Sequence, residues 1–404
     1  MTHPQPTVKK FDRGRLFASA CGALFMFGVV LVLLGTLFGM PEMRERLQVT
    51  TMVRQGDLQT LLLVGVLLST VASGPLIDRF GCKLVLSVSS LLVTFALVGF
   101  AYATTYSAAQ IAGFVVGVGG GGLNITANVL VSDIFEADRG ARLNLLAAFF
   151  GMGALTVPLA AAAVGAVQMQ PVILATAIIS AACTLAYVVL CFPAPRHASG
   201  FSLGGAAKVV VIPGVLLFAF LLFFESWNEA AMIGWTSTWA GGLGANPRAA
   251  TLVLAVFQAT MMLGRISASR ILRRFTEAQL MIASAAGALV STAVIALAPS
   301  VPVLALGVGL AGLSFASIYP TVLALAGNRY RSFSGSVFGI LFTIGLCGGA
   351  TSPWLIGHLS QTFAIRAGTA LPVVGAAMIC AIFLVIRSRE KQASAVVGES
   401  LADD

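Results

Sequence analysis

Two carboxylates lie one helical turn apart in a long apolar segment of the sequence. Glu225, Asn228 and Glu229 occupy positions i, i+3 and i+4, so a helix would place all three on one face. In an apolar medium the two acids repel each other and lose hydration, which favours the neutral form of at least one. The spacing predicts Glu225 and Glu229 as proton-binding groups, with Glu225 and Asn228 as ligand contacts. An ion pair with Arg265 is the structural alternative.

Amides and aromatic rings in other apolar segments extend this candidate site. Asn124 and Asn128 share one helix face, and amide groups offer both donors and acceptors to a polyhydroxylated ligand. Hydrogen bonds between helices are the alternative for these amides. The remaining predicted ligand contacts are Asn144, Trp235, Gln258 and Tyr319.

Composition defines the elements that must position these residues. Of the 404 residues, 58% are hydrophobic and only 10% are charged, which is too little polar surface for a water-soluble protein. Membrane lipid is therefore the expected surrounding. The apolar runs predict an all-α membrane protein with twelve transmembrane helices at about 16–40, 57–78, 83–104, 108–131, 141–165, 171–193, 210–239, 249–272, 278–298, 301–326, 333–357 and 367–387.

The basic residues predict the orientation of the chain. Most lysines and arginines fall between apolar runs on one side, and five arginines fall on the other: Arg44, Arg46, Arg54, Arg248 and Arg366. Because basic residues resist translocation, both termini are expected in the cytoplasm, with the protein in a cell inner membrane. The net charge of +9 is explained by this placement, and without an aromatic-interleaved basic face no nucleic-acid partner is expected.

A constant offset of about 195 residues relates the two halves of the sequence. Residues 72–80 fall over 267–275, and Gly153, Thr156 and Pro158 fall over glycine, threonine and proline at 348, 351 and 353. Duplicated six-helix halves with substrate between them are a known transporter architecture. The pattern predicts six-helix bundles over 1–193 and 209–404, joined by a cytoplasmic linker at 194–208. General likeness between glycine-rich apolar helices is the alternative.

The stretch from Gly74 to Lys83 resembles the loop signature of the major facilitator superfamily, G-x-L-x-D-R-x-G-x-K/R. It falls between the second and third spans, where that family carries it. The resemblance implies a gating role for Gly74, Asp78, Arg79, Gly81 and Lys83. It also implies that Asp78 accepts hydrogen bonds from the start of the eleventh helix, near residues 332–334. For Arg79 and Lys83, pairing with Asp133 or Glu136 competes with simple anchoring on the cytoplasmic side.

A narrower likeness covers residues 119–158. The runs from Gly122 to Asn128, Arg142 to Leu145 and Phe150 to Ala154 resemble the fucose permease branch, which implies proton-coupled sugar uptake. This chain departs from that branch at two positions, and both concern the coupling ion. The relative has a carboxylate where this chain has Asn124, and a second one in its first span, whereas residues 16–40 contain none.

The sequence thus predicts a non-enzymatic secondary transporter for a small polar solute, expected to be a sugar and driven by protons or another coupling ion. A multidrug or metabolite exporter of the same fold and an uncoupled facilitator remain alternatives. A membrane enzyme or sensor is disfavoured, because no Ser/His/Asp arrangement, phosphate loop or metal cluster is present. No cofactor or metal is expected.

Overall fold

The computed structural model describes residues 11–135, 138–164, 169–193, 212–272, 274–330 and 334–400. All regular structure within these ranges is helical. The helices are α1 (Arg13–Leu37), α2 (Pro41–Arg46), α3 (Met52–Tyr102), α4 (Tyr106–Ile134), α5 (Arg139–Val164), α6 (Met169–Val189), α7 (Pro213–Gly242), α8 (Pro247–Ile271), α9 (Glu277–Leu297), α10 (Val301–Phe315), α11 (Ile318–Arg329), α12 (Ser334–Phe363) and α13 (Ile365–Ser400).

Twelve membrane spans result from these helices. Eleven described helical segments are long and apolar enough to cross a bilayer, when α10 and α11 are taken as one. One of them, α3, is 51 residues long and contains two spans, because its backbone breaks at Gly81 with φ 81° and ψ 162°. A residue with a β-carbon is strained at such a positive φ, so glycine is the residue that suits this turn. The predicted all-α fold with twelve transmembrane helices is confirmed.

The tenth span is interrupted between α10 and α11. Ala316 and Ser317 separate the two helices, and the hydroxyl groups of Ser317 and Ser284 lie 2.6 Å apart. Ser284 belongs to α9, and its hydroxyl gives the Ser317 hydroxyl at the break a hydrogen-bond partner. The single span predicted at 301–326 is therefore two shorter helices.

Positions related by the sequence offset make equivalent contacts in the two halves. A side-chain carbon added at Gly153 in α5 would overlap the carbonyl oxygen of Phe25 in α1. The equivalent carbon at Gly348 in α12 would overlap the carbonyl oxygen of Phe223 in α7. Buried apolar residues likewise form two clusters, one dominated by α1–α6 and the other by α7–α13. The linker predicted at 194–208 lies outside the described residues.

The halves meet closely at one end of the molecule. We name the end at which α1 begins the termini side, and the end at which α1 and α7 finish the far side. Near the far side, a β-carbon at Gly35 would overlap the carbonyl oxygen of Ile233, and one at Gly56 would overlap that of Pro353. Such close backbone approach is available only to glycine and gives tight van der Waals contact between helices in lipid.

Candidate functional site

Helix α7 carries the acidic pair predicted from the sequence. Glu225 is only 1% exposed, and its Oε2 accepts a hydrogen bond from the hydroxyl of Ser226 at 3.3 Å. Asn228 is fully buried, and neither of its amide atoms has a hydrogen-bond partner in the described ranges. Its amide lies against Gly375 of α13, so it contacts the packed interior of the second half.

Arg265 of α8 is the basic partner of this pair. Its Nη2 atom is 3.9 Å from Oε1 of Glu229, and the two side chains are 34% and 22% exposed. The guanidinium also lies over the ring of Phe150 in α5, 5.7 Å from the ring centroid. Because Phe150 belongs to the other half, Arg265 connects the acidic cluster to the interface between the halves.

Tyr319, at the start of α11, lies within the electrostatic reach of the same cluster. The charges of Glu225, Glu229 and Arg265 all act on its hydroxyl group. Its ring stacks on Phe342 of α12, with centroids 6.1 Å apart and planes inclined by 5°. The structure therefore brings together four polar side chains from three elements of the second half. Three of the four belong to the predicted site, and Arg265 entered only as a possible ion-pair partner.

Two amides of the first half contact each other. Asn128 donates from Nδ2 to the backbone oxygen of Asn124 at 2.8 Å and to its Oδ1 at 3.1 Å, and both residues are half-buried. Asn144 is exposed. The predicted shared face of Asn124 and Asn128 is thus present, and the two amides contact each other within one helix.

Gln258 and Trp235 are buried in the second half. Gln258 is 4% exposed and Trp235 is fully buried. The Nε2 atom of Gln258 and the indole nitrogen of Trp235 have no hydrogen-bond partner among the residues that the structure describes. Both remain predicted ligand contacts.

A cavity of about 110 Å³ lies between the halves, bounded by α1, α3, α7 and α12. Most of its wall is apolar, and its polar side chains are Gln59, Ser226 and Glu229. Of the residues predicted from the sequence, Glu229 lies in this wall, whereas Glu225, Asn228 and Trp235 do not. The cavity is therefore formed by the first, second, seventh and eleventh spans.

Two glutamines of α3 close the far side above this cavity. Gln59 donates from Nε2 to the carbonyl oxygen of Gly234 at 2.5 Å, and Gln55 donates to the hydroxyl of Thr238 at 2.7 Å. Gln55 also reaches the Gly234 oxygen at 3.4 Å. We call Gln55 and Gln59 the glutamine latch. Sequence reasoning missed it, although two amides one turn apart in an apolar helix were a readable signal.

Two further hydrogen bonds between the halves support this closure. The backbone nitrogen of Met52 donates to Oε1 of Gln361, and the hydroxyl of Thr60 donates to the backbone oxygen of Ala350, each at 3.0 Å. All these contacts join α3 to α7 or α12 near the far side. They define a conformation that is sealed there.

The chain matches the Major Facilitator Superfamily over residues 16–353. It belongs to this superfamily. The match extends from the first transmembrane segment into the eleventh. The protein is therefore a multi-pass membrane protein of a family whose members move small molecules across membranes.

Solved structures of superfamily transporters share its fold. The nucleoside transporter NupG has a TM-score of 0.76 at 13% identity, with 92% of this chain and 99% of that chain covered. The E. coli fucose:proton symporter FucP gives 0.66 at 18% identity, covering 92% and 98%. A bacterial homolog of the human lysosomal transporter Spinster gives 0.73 at 12% identity, covering 93% and 97%. No match was found among curated proteins.

The signature loop of this superfamily member lies on the termini side. Lys83 donates from Nζ to the backbone oxygen of Leu190 at 3.1 Å, and Arg79 lies over the ring of Phe80 at 5.1 Å. A β-carbon at Gly74 would meet no described atom of another helix within 4 Å. The predicted contacts of Asp78 with residues 332 and 333, and the alternative partner Glu136, lie outside the described residues.

Proposed function

We propose that the protein is a proton-coupled secondary transporter that moves a small polar solute, a sugar, across the cytoplasmic membrane by alternating access. The observation that carries the proposal is the cluster of Glu225, Glu229, Arg265 and Tyr319 beside the cavity between the halves. Both termini are proposed to lie in the cytoplasm, so the far side faces outward.

The charge balance of the cluster favours a role for protons. Two carboxylates and one guanidinium carry a surplus negative charge when all three are ionised. An unneutralised charge in the bilayer core costs about 3 kcal/mol on insertion scales. Binding one proton removes the surplus, and releasing it restores the surplus. The cluster can therefore take up a proton in one conformation and lose it in another.

The contacts between the halves support alternating access. The glutamine latch and the glycine contacts at Gly35 and Gly56 seal the far side. On the opposite side, a β-carbon at Gly74 of the signature loop would meet no atom of the described residues within 4 Å. A carrier that is closed at one side can release solute toward the opposite side, here the cytoplasm.

A hydroxyl-rich solute is supported by two observations. The amides of Asn124 and Asn128 are half-buried in α4 and offer donors and acceptors. Two of the structural neighbours carry solutes with sugar rings, namely nucleosides and fucose. These neighbours share the fold at low identity, so the choice of a sugar rests mainly on the chemistry of the amides.

Transport of an amphipathic solute is the second candidate. The cavity wall is mostly aliphatic, with Phe27 as its aromatic side chain, and such a wall favours an apolar body over a fully hydroxylated one. An exporter of amphipathic metabolites would use the same proton cluster with the opposite direction of solute flow.

Uptake into proteoliposomes with an imposed pH gradient tests the proposal. The wild type should accumulate at least one of a panel of sugars and nucleosides when the gradient is present. Glu229→Gln and Glu225→Gln should each reduce accumulation at least about tenfold, while solute exchange without a gradient persists. Glu42→Gln, at an exposed acid of α2, is the matched control and should accumulate normally. Undiminished gradient-driven accumulation by the Glu225→Gln/Glu229→Gln double variant would refute the proton role.

A further inference from the structure

The polar side chains of the cavity wall present hydrogen-bond acceptors that have no partner among the described residues. Gln59 is 4% exposed, and its Nε2 donates to the Gly234 oxygen. Its Oε1 has no hydrogen-bond partner in the part of the chain that the structure describes. A buried carbonyl oxygen without a partner is costly, so this oxygen is suited to accept a hydrogen bond from a ligand.

The two α7 residues in the wall have the same character. The Ser226 hydroxyl donates its proton toward Glu225, which leaves its oxygen lone pairs for a ligand. Glu229 faces Arg265 through one oxygen at 3.9 Å, so its carboxylate has further acceptor capacity. Neither residue offers the cavity an unused donor while Glu229 is ionised.

A proline in α12 adds a backbone acceptor to this wall. Pro353 has no N–H group, so the carbonyl oxygen of Gly349, four residues earlier, has no helical donor. Gly349 and Pro353 both line the cavity. The neighbouring carbonyl of Ala350 already accepts a hydrogen bond from Thr60 of α3, so a carbonyl close to this proline is accessible from outside the helix.

We propose that this cavity binds the transported solute through a hydrogen-bond donor, a hydroxyl or a protonated amine, and that Gln59 is a specificity-determining residue. The donor group would contact Gln59, Ser226, Glu229 and the Gly349 carbonyl, while an apolar part of the solute lies against α1 and α3. The inference rests on the proposed transport function and specifies its substrate chemistry.

These buried acceptors have two consequences for selectivity. A solute whose donors are capped by methyl groups leaves the buried acceptors unpaired, and a site built to bind a hydroxyl or amine rejects such an analogue strongly. A carboxylate or phosphate solute meets the Glu229 carboxylate in the wall, so repulsion between like charges disfavours anions.

Ligand binding by the purified protein tests the inference without transport. Thermal protection is measured with matched probes: glucose against fully O-methylated glucose, cyclohexylamine against cyclohexyltrimethylammonium, and cyclohexanecarboxylate as the anion. At least one donor-bearing probe should bind about tenfold more tightly than its capped partner, and the anion should not bind. A preference within the sugar pair would identify a hydroxyl as the donor of the solute, and a preference within the amine pair would identify a protonated amine.

Variants connect this discrimination to the named residues. Gln59→Met and Ser226→Ala should each reduce the preference for the donor-bearing probe at least about threefold. Gln55→Met is the matched control, because Gln55 contacts the same Gly234 oxygen but does not line the cavity. It should weaken far-side closure and leave the preference unchanged.

The outcomes separate this inference from the proposed function. Equal binding of capped and uncapped probes, no binding of any donor-bearing probe, or an unaltered preference in both Gln59→Met and Ser226→Ala would overturn it. A second combination of results is also informative. If the protein prefers the donor-bearing probes but Glu225→Gln and Glu229→Gln leave gradient-driven accumulation unchanged, this inference is supported and proton coupling is refuted.

Discussion

The Oε1 atom of Glu229 and the Nη2 atom of Arg265 are 3.9 Å apart, so the two charges attract each other without forming a short hydrogen bond. Each side chain keeps some exposed surface, and the guanidinium also contacts Phe150 of the other half. A pair with this geometry separates at small cost. It can therefore respond to a proton or to a solute that enters the cavity.

A double-mutant cycle should show that this ion pair is weak. Glu229→Gln, Arg265→Gln and the double variant should give a coupling free energy of about 0.5–1 kcal/mol in thermal unfolding, because the separation is long and both groups are partly exposed. Arg270→Gln, at an exposed arginine of the same helix, should show no coupling with Glu229→Gln. A coupling above about 3 kcal/mol would instead indicate a tight structural ion pair.

The substitution Gly35→Ala should open the far side. A β-carbon at Gly35 overlaps the carbonyl oxygen of Ile233, and overpacking of this kind costs about 1–3 kcal/mol. The closed conformation should lose population by about 5-fold or more. Reaction of Ser237→Cys with an impermeant thiol reagent measures this, because Ser237 is fully buried in the closed state.

The control for this measurement is Gly99→Ala in α3. A β-carbon at Gly99 would make ordinary contact with Ala112 at 3.8 Å, so labelling should stay at the wild-type level. Equal labelling of the Gly35→Ala and Gly99→Ala backgrounds would contradict the assignment of Gly35 to the closing contact.

The substitution Gly81→Ala should destabilise the protein by about 1–2 kcal/mol, because its φ of 81° is unfavourable for a residue with a β-carbon. Gly74→Ala lies in the helical part of the same signature and would meet no described atom within 4 Å, so the unfolding temperature should not fall. Thermal unfolding in detergent compares the two. A larger loss for Gly74→Ala would show that the loop packs differently from the structure described above.

The substitution Tyr319→Phe should separate the electrostatic and packing roles of this residue. The phenylalanine ring keeps the stacking on Phe342 and loses the hydroxyl next to the acidic cluster. Unfolding temperature should be unchanged, and gradient-driven accumulation should fall several-fold. Tyr319→Ala should lower both quantities. Wild-type accumulation by Tyr319→Phe would exclude the hydroxyl from the coupling mechanism.

The spans were predictable because lipid imposes a strong constraint on the sequence. A bilayer needs long apolar segments, and the predicted spans lie within several residues of the observed helix bounds, except that α13 continues past the predicted end at 387 to Ser400. The break at Gly81 followed from the signature loop. The break between α10 and α11 did not, because Ala316 and Ser317 are both compatible with a continuous helix.

The candidate site was predictable only where its residues share one helix. The predicted face of Glu225, Asn228 and Glu229 is present, but their surroundings come from other helices. Asn228 lies against Gly375, and Glu229 lies in the cavity wall. The glutamine latch joins Gln59 to a residue 175 positions away, and periodicity within one helix carries no information about such a partner.

The acceptor that both latch glutamines reach is the backbone oxygen of Gly234, which every amino acid would supply equally. Point mutations in the second half therefore cannot delete this acceptor, whereas changes in α3 remove its donors outright. A genetic selection for variants that open outward too readily should therefore recover substitutions of Gln55 and Gln59, which remove the donors. Substitutions recovered at Gly234 should act only by steric overlap. The two halves should therefore tolerate substitution unequally at this contact. The backbone oxygen at position 234 is present whatever the residue, whereas the donors of Gln55 and Gln59 are kept only by selection.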